Sequence, residues 1–332
     1  MKSVFNVAPP TFSISEMIKF TQKNYNINGN LKELYSDRDQ IFLVESNEKK
    51  FILKISNPAE EYSVIDLQDK AAEYIIKNDP SMKIPRRIGS ILRIEKNRKK
   101  FYIRLLSYIE GTLMSEKKLV ETSYKNMGSY IGRLSNNLKG FEHPGAHRVF
   151  DWDIRQIDLI KEKIQFISNE ADKKTINHFI DEFEENIGPY SEKLTTNIIH
   201  NDGNDHNILI DNKSNTIGII DFGDMVYSYQ AIEPAVCMAY AAMGNDNVFL
   251  SITSVLKNYN AVYKLNEFEL KAVIYLLCLR LCITVLMASW RKKLFPKNHY
   301  LSISETSAWR LLKIMEKEKL KERSKELTEN AI

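Results

Sequence analysis

Residues 198–210 read IIHNDGNDHNILI, and residues 219–224 read IIDFGD. Together they spell H-x-D-x-x-x-x-N from His200 to Asn207, followed fourteen residues after Asn207 by D-F-G at Asp221, Phe222 and Gly223. Phosphoryl transfer asks little covalent help of a protein. It needs divalent metal to bridge the nucleotide phosphates and a carboxylate that orients the attacking hydroxyl and takes its proton. Two carboxylates and an amide supply that set. Asp202, in the loop after a strand, can face an acceptor hydroxyl, while Asn207 and Asp221 are oxygen ligands suited to a hard ion such as Mg²⁺. A hairpin from Asn207 to Asp221 brings the two ligands together.

Outward toward the amino terminus, the pattern is that of a small α+β unit. Ser13 or Ser15 can cap a helix from Glu16 to Lys23 that stops before Asn28 and Gly29. Leu31–Leu34, Ile41–Val44 and Phe51–Ile55 read as strands, the last two joined by the polar turn Ser46-Asn47-Glu48. Phe51, Leu53 and Ile55 share one face by the two-residue period, which turns Lys54 to the other. Pro58 opens a helical segment from Ala59 to Lys77, and a second hairpin runs from Arg87 to Ile94 and from Phe101 to Ile109. The break Glu110-Gly111 ends this unit. Beyond it the pattern turns helical, over 119–138, 153–168 and 173–185. β-like runs return only at 197–200, 207–211 and 216–221, and after Pro234 the reading is helical to a Lys/Glu-rich, solvated helical tail at 313–329. The expected architecture is a bilobal α+β fold, with an antiparallel sheet in a smaller lobe (1–109) and a larger, mostly helical lobe (110–332).

A strand lysine inside ILKI fits the phosphate-contacting lysine of kinase-like folds. Its acidic partner on the following helix is not singled out, since Glu60, Glu61, Asp66, Asp69 and Glu73 compete and Gln68 occupies an inward position. No G-x-G-x-x-G is present. The loop Ser36-Asp37-Arg38-Asp39-Gln40 between the first two strands lies where a phosphate-covering loop belongs, which makes Ser36 and Arg38 candidates there.

The chain resembles the aminoglycoside phosphotransferase and choline kinase-like family over nearly its whole length. Within it, the chain is most similar to the hydroxylysine kinase-like group, through SDRDQIFLV, FILKISNP, LLSYIEGTLM, GFEHPGAHR, DFGDMVYS and SAWRLL in that order. The resemblance implies a protein kinase-like fold and phosphorylation by ATP or GTP of a small hydroxylated, often amine-bearing metabolite. It also implies Asp202 as catalytic base, Asn207 and Asp221 on Mg²⁺, Lys54 on phosphates, and residues 106 to 109, including Leu106, Tyr108 and Ile109, as the base-binding hinge. The alternatives are an antibiotic-modifying phosphotransferase and a kinase-fold binding protein without catalysis. Asn201 stands where the family usually has a glycine or another residue.

Acceptor candidates are fewer. Asp205 and Asp224 can attract an ammonium group, and Trp152, Trp290, Trp309 and Tyr240 can wall a cationic substrate. Arg280, centred in the apolar run 272–288, must meet a carboxylate or carbonyl, either a substrate carboxylate or an internal acid such as Glu233. That run is short for a membrane span and is read as a buried helix. His143 and His147 are separated by Pro144-Gly145, which argues against a zinc pair. The 47 Lys and Arg against 43 Asp and Glu leave a formal charge of +4, too little for a chain held mainly by nucleic-acid phosphates. No secretory signal is read in MKSVFNVAPPTF, and three cysteines make no disulfide framework, so the expected compartment is the cytoplasm.

Overall fold

A computed structural model of the chain describes residues 3–47, 49–213 and 215–332. Helix α1 (Ile14–Tyr25) starts at a capping box: Ser13 Oγ accepts from the Glu16 N–H, and the Glu16 carboxylate accepts from the Ser13 N–H. It stops at Asn26, whose left-handed backbone ends the helix. Strands β1 (Asn30–Leu34), β2 (Gln40–Ser46) and β3 (Lys49–Ile55) follow. The β2–β3 hairpin forms as expected; Glu48 of its turn lies outside the described residues. Helix α2 (Tyr62–Asn78) starts later than Pro58 suggested. The Asn57 side chain takes the Ala59 N–H at 3.0 Å and its carbonyl takes the Glu60 N–H at 2.9 Å, so a turn intervenes before the helix.

Strands β4 (Arg87–Lys96) and β5 (Lys99–Ser107) are joined at Asn97 and Arg98, both with positive φ, as a two-residue hairpin turn requires. The resulting five-stranded antiparallel sheet has the order β1-β2-β3-β5-β4. Phe42, Val44, Leu53, Ile55, Ile103 and Leu105 form one buried face, closed by Phe12 and Met17. Lys54 and Arg104 stand opposite each other on the other face, toward α2.

The rest of the chain comprises β6 (Thr112–Leu113), α3 (Glu121–Leu138), α4 (Ile157–Lys163), α5 (Glu170–Asn186), β7 (Thr196–Ile199), β8 (Ile208–Ile210), β9 (Thr216–Ile219), β10 (Val226–Tyr229), α6 (Ile232–Ala242), α7 (Val248–Val262), α8 (Glu267–Leu294), α9 (Glu305–Met315) and α10 (Leu320–Ala331). Three differences from the sequence reading stand out. The helix expected over 153–168 shrinks to α4, because Asp153 ties its carboxylate to the Arg155 N–H and the Gln156 side chain in a turn. Two short strands were not foreseen: β6 pairs with β8, and β10 pairs with β7. The Lys/Glu-rich tail is two helices rather than one solvated one, and α10 buries Leu320, Ser324, Leu327 and Ala331. The Asn260 side chain on α7 donates to the Ala331 carbonyl at 2.9 Å, which fixes that end.

Helix α8 is long and apolar enough to cross a membrane by length and composition, yet it is buried almost throughout as the core helix of the larger hydrophobic cluster. That cluster also takes in Leu67, Ala71 and Ile75 of α2, so α2 links the sheet to the helical part.

Candidate active site

The loop between β7 and β8 carries the motif residues, and its backbone is held from several sides. Glu233, in the first turn of α6, accepts the N–H groups of His200 (3.1 Å) and Asn201 (2.7 Å). Burial pushes its carboxyl up to about 7 against those two bonds. Asn201 has a φ of 65°, a left-handed conformation that Asn tolerates better than most residues. Its side-chain amide donates to the carbonyls of Trp152 and Asp224, both at 3.3 Å, bonds that a glycine in its place lacks. His200 Nδ1 accepts the Asp202 N–H at 3.3 Å, so this nitrogen is unprotonated, and burial drives the imidazole down to about 4. The His200 ring meets that of Phe222 edge-on at 4.7 Å.

Both oxygens of Asp202 are engaged. Oδ1 accepts from Arg280 Nη2 at 2.7 Å and Asn204 Nδ2 at 2.8 Å, and Oδ2 accepts from Asn207 Nδ2 at 2.7 Å. Burial first, then the nearby Asp224 carboxylate, raises this carboxyl well above the ordinary range against the pull of Arg280. A carboxyl poised closer to neutrality is a better proton acceptor for a hydroxyl than one at its usual value.

Asn207 spends its amide N–H on Asp202, which turns its side-chain oxygen away from that carboxylate. The Ile220 N–H donates to the Asn207 carbonyl at 2.9 Å, so β9 delivers Asp221 beside Asn207. Asp221 adopts φ 58°, and its Oδ1 accepts from the Gly223 N–H at 3.0 Å and from Lys54 Nζ at 2.8 Å. Burial opposes its ionisation, but Lys54 and Arg38 prevail and hold the carboxyl below its usual range. An amide oxygen and an ionised carboxylate are the donor chemistry of a hard divalent cation.

Lys54 is buried and has a second acid, Asp39, at 3.2 Å. The inward residues of α2 do not serve it: the Gln68 amide oxygen and the Asp69 carboxylate bind Arg104, at 2.7 and 2.8 Å. Asp39 was missed because the partner of Lys54 was sought on the following helix, while the loop before β2 was read only as a phosphate cover with Ser36 and Arg38 as its candidates. The same loop holds Ser36, whose Oγ accepts the Asp39 N–H at 3.3 Å, and Arg38, whose Nη1 lies 2.7 Å from Asp224. The Arg38 guanidinium also sits 5.2 and 5.7 Å from the Phe5 and Phe150 ring centres. Asp224 is therefore paired internally and is not open to an ammonium group.

Arg280 meets Asp202 rather than Glu233, with its guanidinium carbon 4.6 Å from the Trp152 ring and 5.6 Å from the Tyr240 ring. Trp290 instead packs on Phe166 and Lys163, and Trp309 lies against the core from α9, so the four aromatic residues do not form one wall. Asp205 contacts His206 Nδ1 at 2.9 Å and lines a cavity of about 250 Å³ with Ser115, His206, Tyr240, Met243, Ile303, Ser304 and Ser307. At the end of β5, Leu106 pairs with Ile52 and Arg87, Lys50 sits 5.2 Å from the Tyr108 ring centre, and the half-buried Ile109 neighbours Gly218. His143 contacts Asp66 and His147 packs on Tyr227, so the two histidines go separate ways. Sequence reasoning passed over Asn204 and His206, which lie inside the quoted motif, and named Glu233 only as a partner for Arg280.

A family model described as "Phosphotransferase enzyme family" matches residues 31–264. Curated relatives include hydroxylysine kinase of Mus musculus, 27% identical over 285 residues, covering 79% of this chain and 76% of that protein. Hydroxylysine kinase of Danio rerio is 24% identical over 323 residues and covers 91% of each. Among solved structures, a microcompartment-associated aminopropanol kinase superposes with a TM-score of 0.69 at 15% identity, over 96% of this chain and 98% of that one. Amicoumacin kinase in complex with AMP-PNP, Ca²⁺ and amicoumacin gives 0.67 at 13% identity, over 92% and 94%. At these identities the structures speak to the fold alone.

Proposed function

The chain belongs to the phosphotransferase enzyme family, and from that premise we propose that it moves the γ-phosphoryl group of ATP or GTP to the hydroxyl of a small amine-bearing metabolite such as hydroxylysine or a related amino alcohol. The observation that carries this is the meeting of Lys54 from β3 with Asp221 at 2.8 Å, in one site with Asn207 and Asp202. In this reading residues 1–109 bind nucleotide and residues 110–332 supply catalysis and the acceptor site, with residues 106 to 109 beside the base. The three buried, unpaired cysteines suit a reducing compartment, which we take to be the cytoplasm.

Asp202 orients the acceptor hydroxyl and takes its proton as the new O–P bond forms. The bond from the γ-phosphorus to the β,γ-bridging oxygen breaks, and the nucleoside diphosphate leaves. Lys54 offers a buried cation to the phosphates, and Asn207 and Asp221 would hold Mg²⁺. Bound there, that ion neutralises charge on the phosphate oxygens.

The polar cavity beside Asp205, lined by Ser115, His206, Tyr240, Ser304 and Ser307, has the chemistry to take an amino alcohol. The test is nucleotide consumption with ATP and GTP against hydroxylysine, homoserine, choline and aminoglycosides, with Asp202→Asn as control. Turnover with the amino alcohols, lost in the variant, is expected. Turnover with aminoglycosides alone would favour the antibiotic reading, and a nucleotide melting shift with no transfer to any acceptor would favour a binding protein.

A further inference from the structure

We propose that Arg280 is the positioning residue of the Asp202 carboxylate, an inference that rests on Asp202 being the group that meets the acceptor hydroxyl. Helix α8 is apolar and buried, and a guanidinium at its centre is costly unless paired and hydrogen-bonded. Arg280 is 1% exposed, and its fork is used at two points: Nη2 on Asp202 Oδ1 at 2.7 Å and Nη1 on the Asn201 carbonyl at 3.3 Å. Trp152 and Tyr240 stand against the guanidinium and restrict it further.

What sets Arg280 apart from the other partners of Asp202 is where it comes from. Asn204 and Asn207 lie on the same loop as Asp202. Arg280 belongs to the core helix of the larger cluster, so of these three it alone reaches the carboxylate from outside the loop. It bonds both the side chain of Asp202 and the backbone immediately before it, a two-point hold that fixes the carboxylate's direction as well as its place. Lysine presents a point charge on a flexible stem and cannot reproduce that geometry. Arg280 itself need not touch substrate; it acts through Asp202.

Steady-state kinetics of Arg280→Met and Arg280→Lys, with nucleotide-induced melting shifts, test this. Since a misplacement of about 1 Å can cost on the order of 10²-fold, Arg280→Met is expected to lose roughly that factor in kcat while the nucleotide KM stays within about 2-fold. Arg280→Lys, which keeps the buried charge, should fold and fall between Met and wild type. Adding Arg280→Met to Asp202→Asn should lower activity no further, because the group it positions is already disabled. Wild-type kcat in a folded Arg280→Lys enzyme would overturn the proposal even if Arg280→Met fails to fold, and so would full additivity in the double variant. An Asp202→Asn enzyme with undiminished turnover would instead overturn the underlying assignment of Asp202.

Discussion

Lys54 and Asp221 are 167 positions apart in sequence and 2.8 Å apart in space, and their ion pair joins the third strand of the sheet to the turn just beyond β9. Each sets the charge of the other: Asp221 raises the lysine, and Lys54 helps to lower the carboxyl. Lys54→Met is expected to reduce kcat/KM by about 10²–10³-fold, the scale of losing one preorganised charge-stabilising donor. The loss should appear in nucleotide titrations as well as in turnover. Unchanged kcat/KM for the nucleotide would remove Lys54 from the phosphate site.

Arg38 makes the companion bridge, from the loop before β2 to Asp224, with Glu60 at 3.9 Å. All three side chains are nearly buried, so truncating the arginine strands Asp224, while Glu60 keeps Arg148 at 3.8 Å. Removing one partner of a buried pair costs about 3–5 kcal/mol, whereas removing both charges costs much less. Urea unfolding should therefore show Arg38→Met well below wild type and Arg38→Met/Asp224→Asn partly restored. A double variant no more stable than the single one would show that the pair is not the source of the loss.

These bridges also mark where sequence stopped being informative. The strand period placed Lys54 on the face away from Leu53 and Ile55, and the fixed offsets among Asp202, Asn207 and Asp221 made the loop and hairpin legible, because both are local in sequence. The partners of Lys54 and Arg280 are not local. Asp39 reaches Lys54 from the loop just before β2, two residues ahead of the strand partner Ile41, and Asp202 meets α8 only through the packing of the helical core, so nearby acids such as Glu61 or Asp66 looked equally fit. The solvated-tail reading failed similarly: a Lys/Glu-rich composition hides that Leu320, Ser324, Leu327 and Ala331 share one buried stripe.

His200 gives the fold an acid sensitivity of known sign. Burial lowers its imidazole to about 4 from an unfolded value near 6.5, so between those values the unfolded chain binds more protons than the folded one. Its contribution is full above pH 6.5 and is lost as pH falls toward 4, by roughly 3 kcal/mol at about 1.36 kcal/mol per unit. Glu233, raised to about 7, acts in the opposite sense as pH rises from its unfolded value. The urea midpoint of His200→Gln relative to that of wild type should therefore rise between pH 7 and pH 4.5. Equal pH dependence in the two proteins would refute the buried-imidazole account.

Asp205 is the acceptor-side counterpart. Its carbonyl accepts the Ser115 N–H at 2.9 Å, which anchors it beside β6, and its partly exposed carboxylate lines the small polar cavity on the same loop as Asp202. A charge there can select an ammonium group carried a few bonds from the reacting hydroxyl. Hydrogen bonds to charged groups are worth about 1.5–3 kcal/mol, so Asp205→Asn is expected to raise the acceptor KM by roughly 10- to 100-fold. The nucleotide KM should hold. An acceptor of the same length with its amine removed should bind wild type and variant alike, because the interaction that distinguishes them is absent. If the variant keeps the wild-type KM for the amine-bearing acceptor, the ammonium is read elsewhere in the cavity.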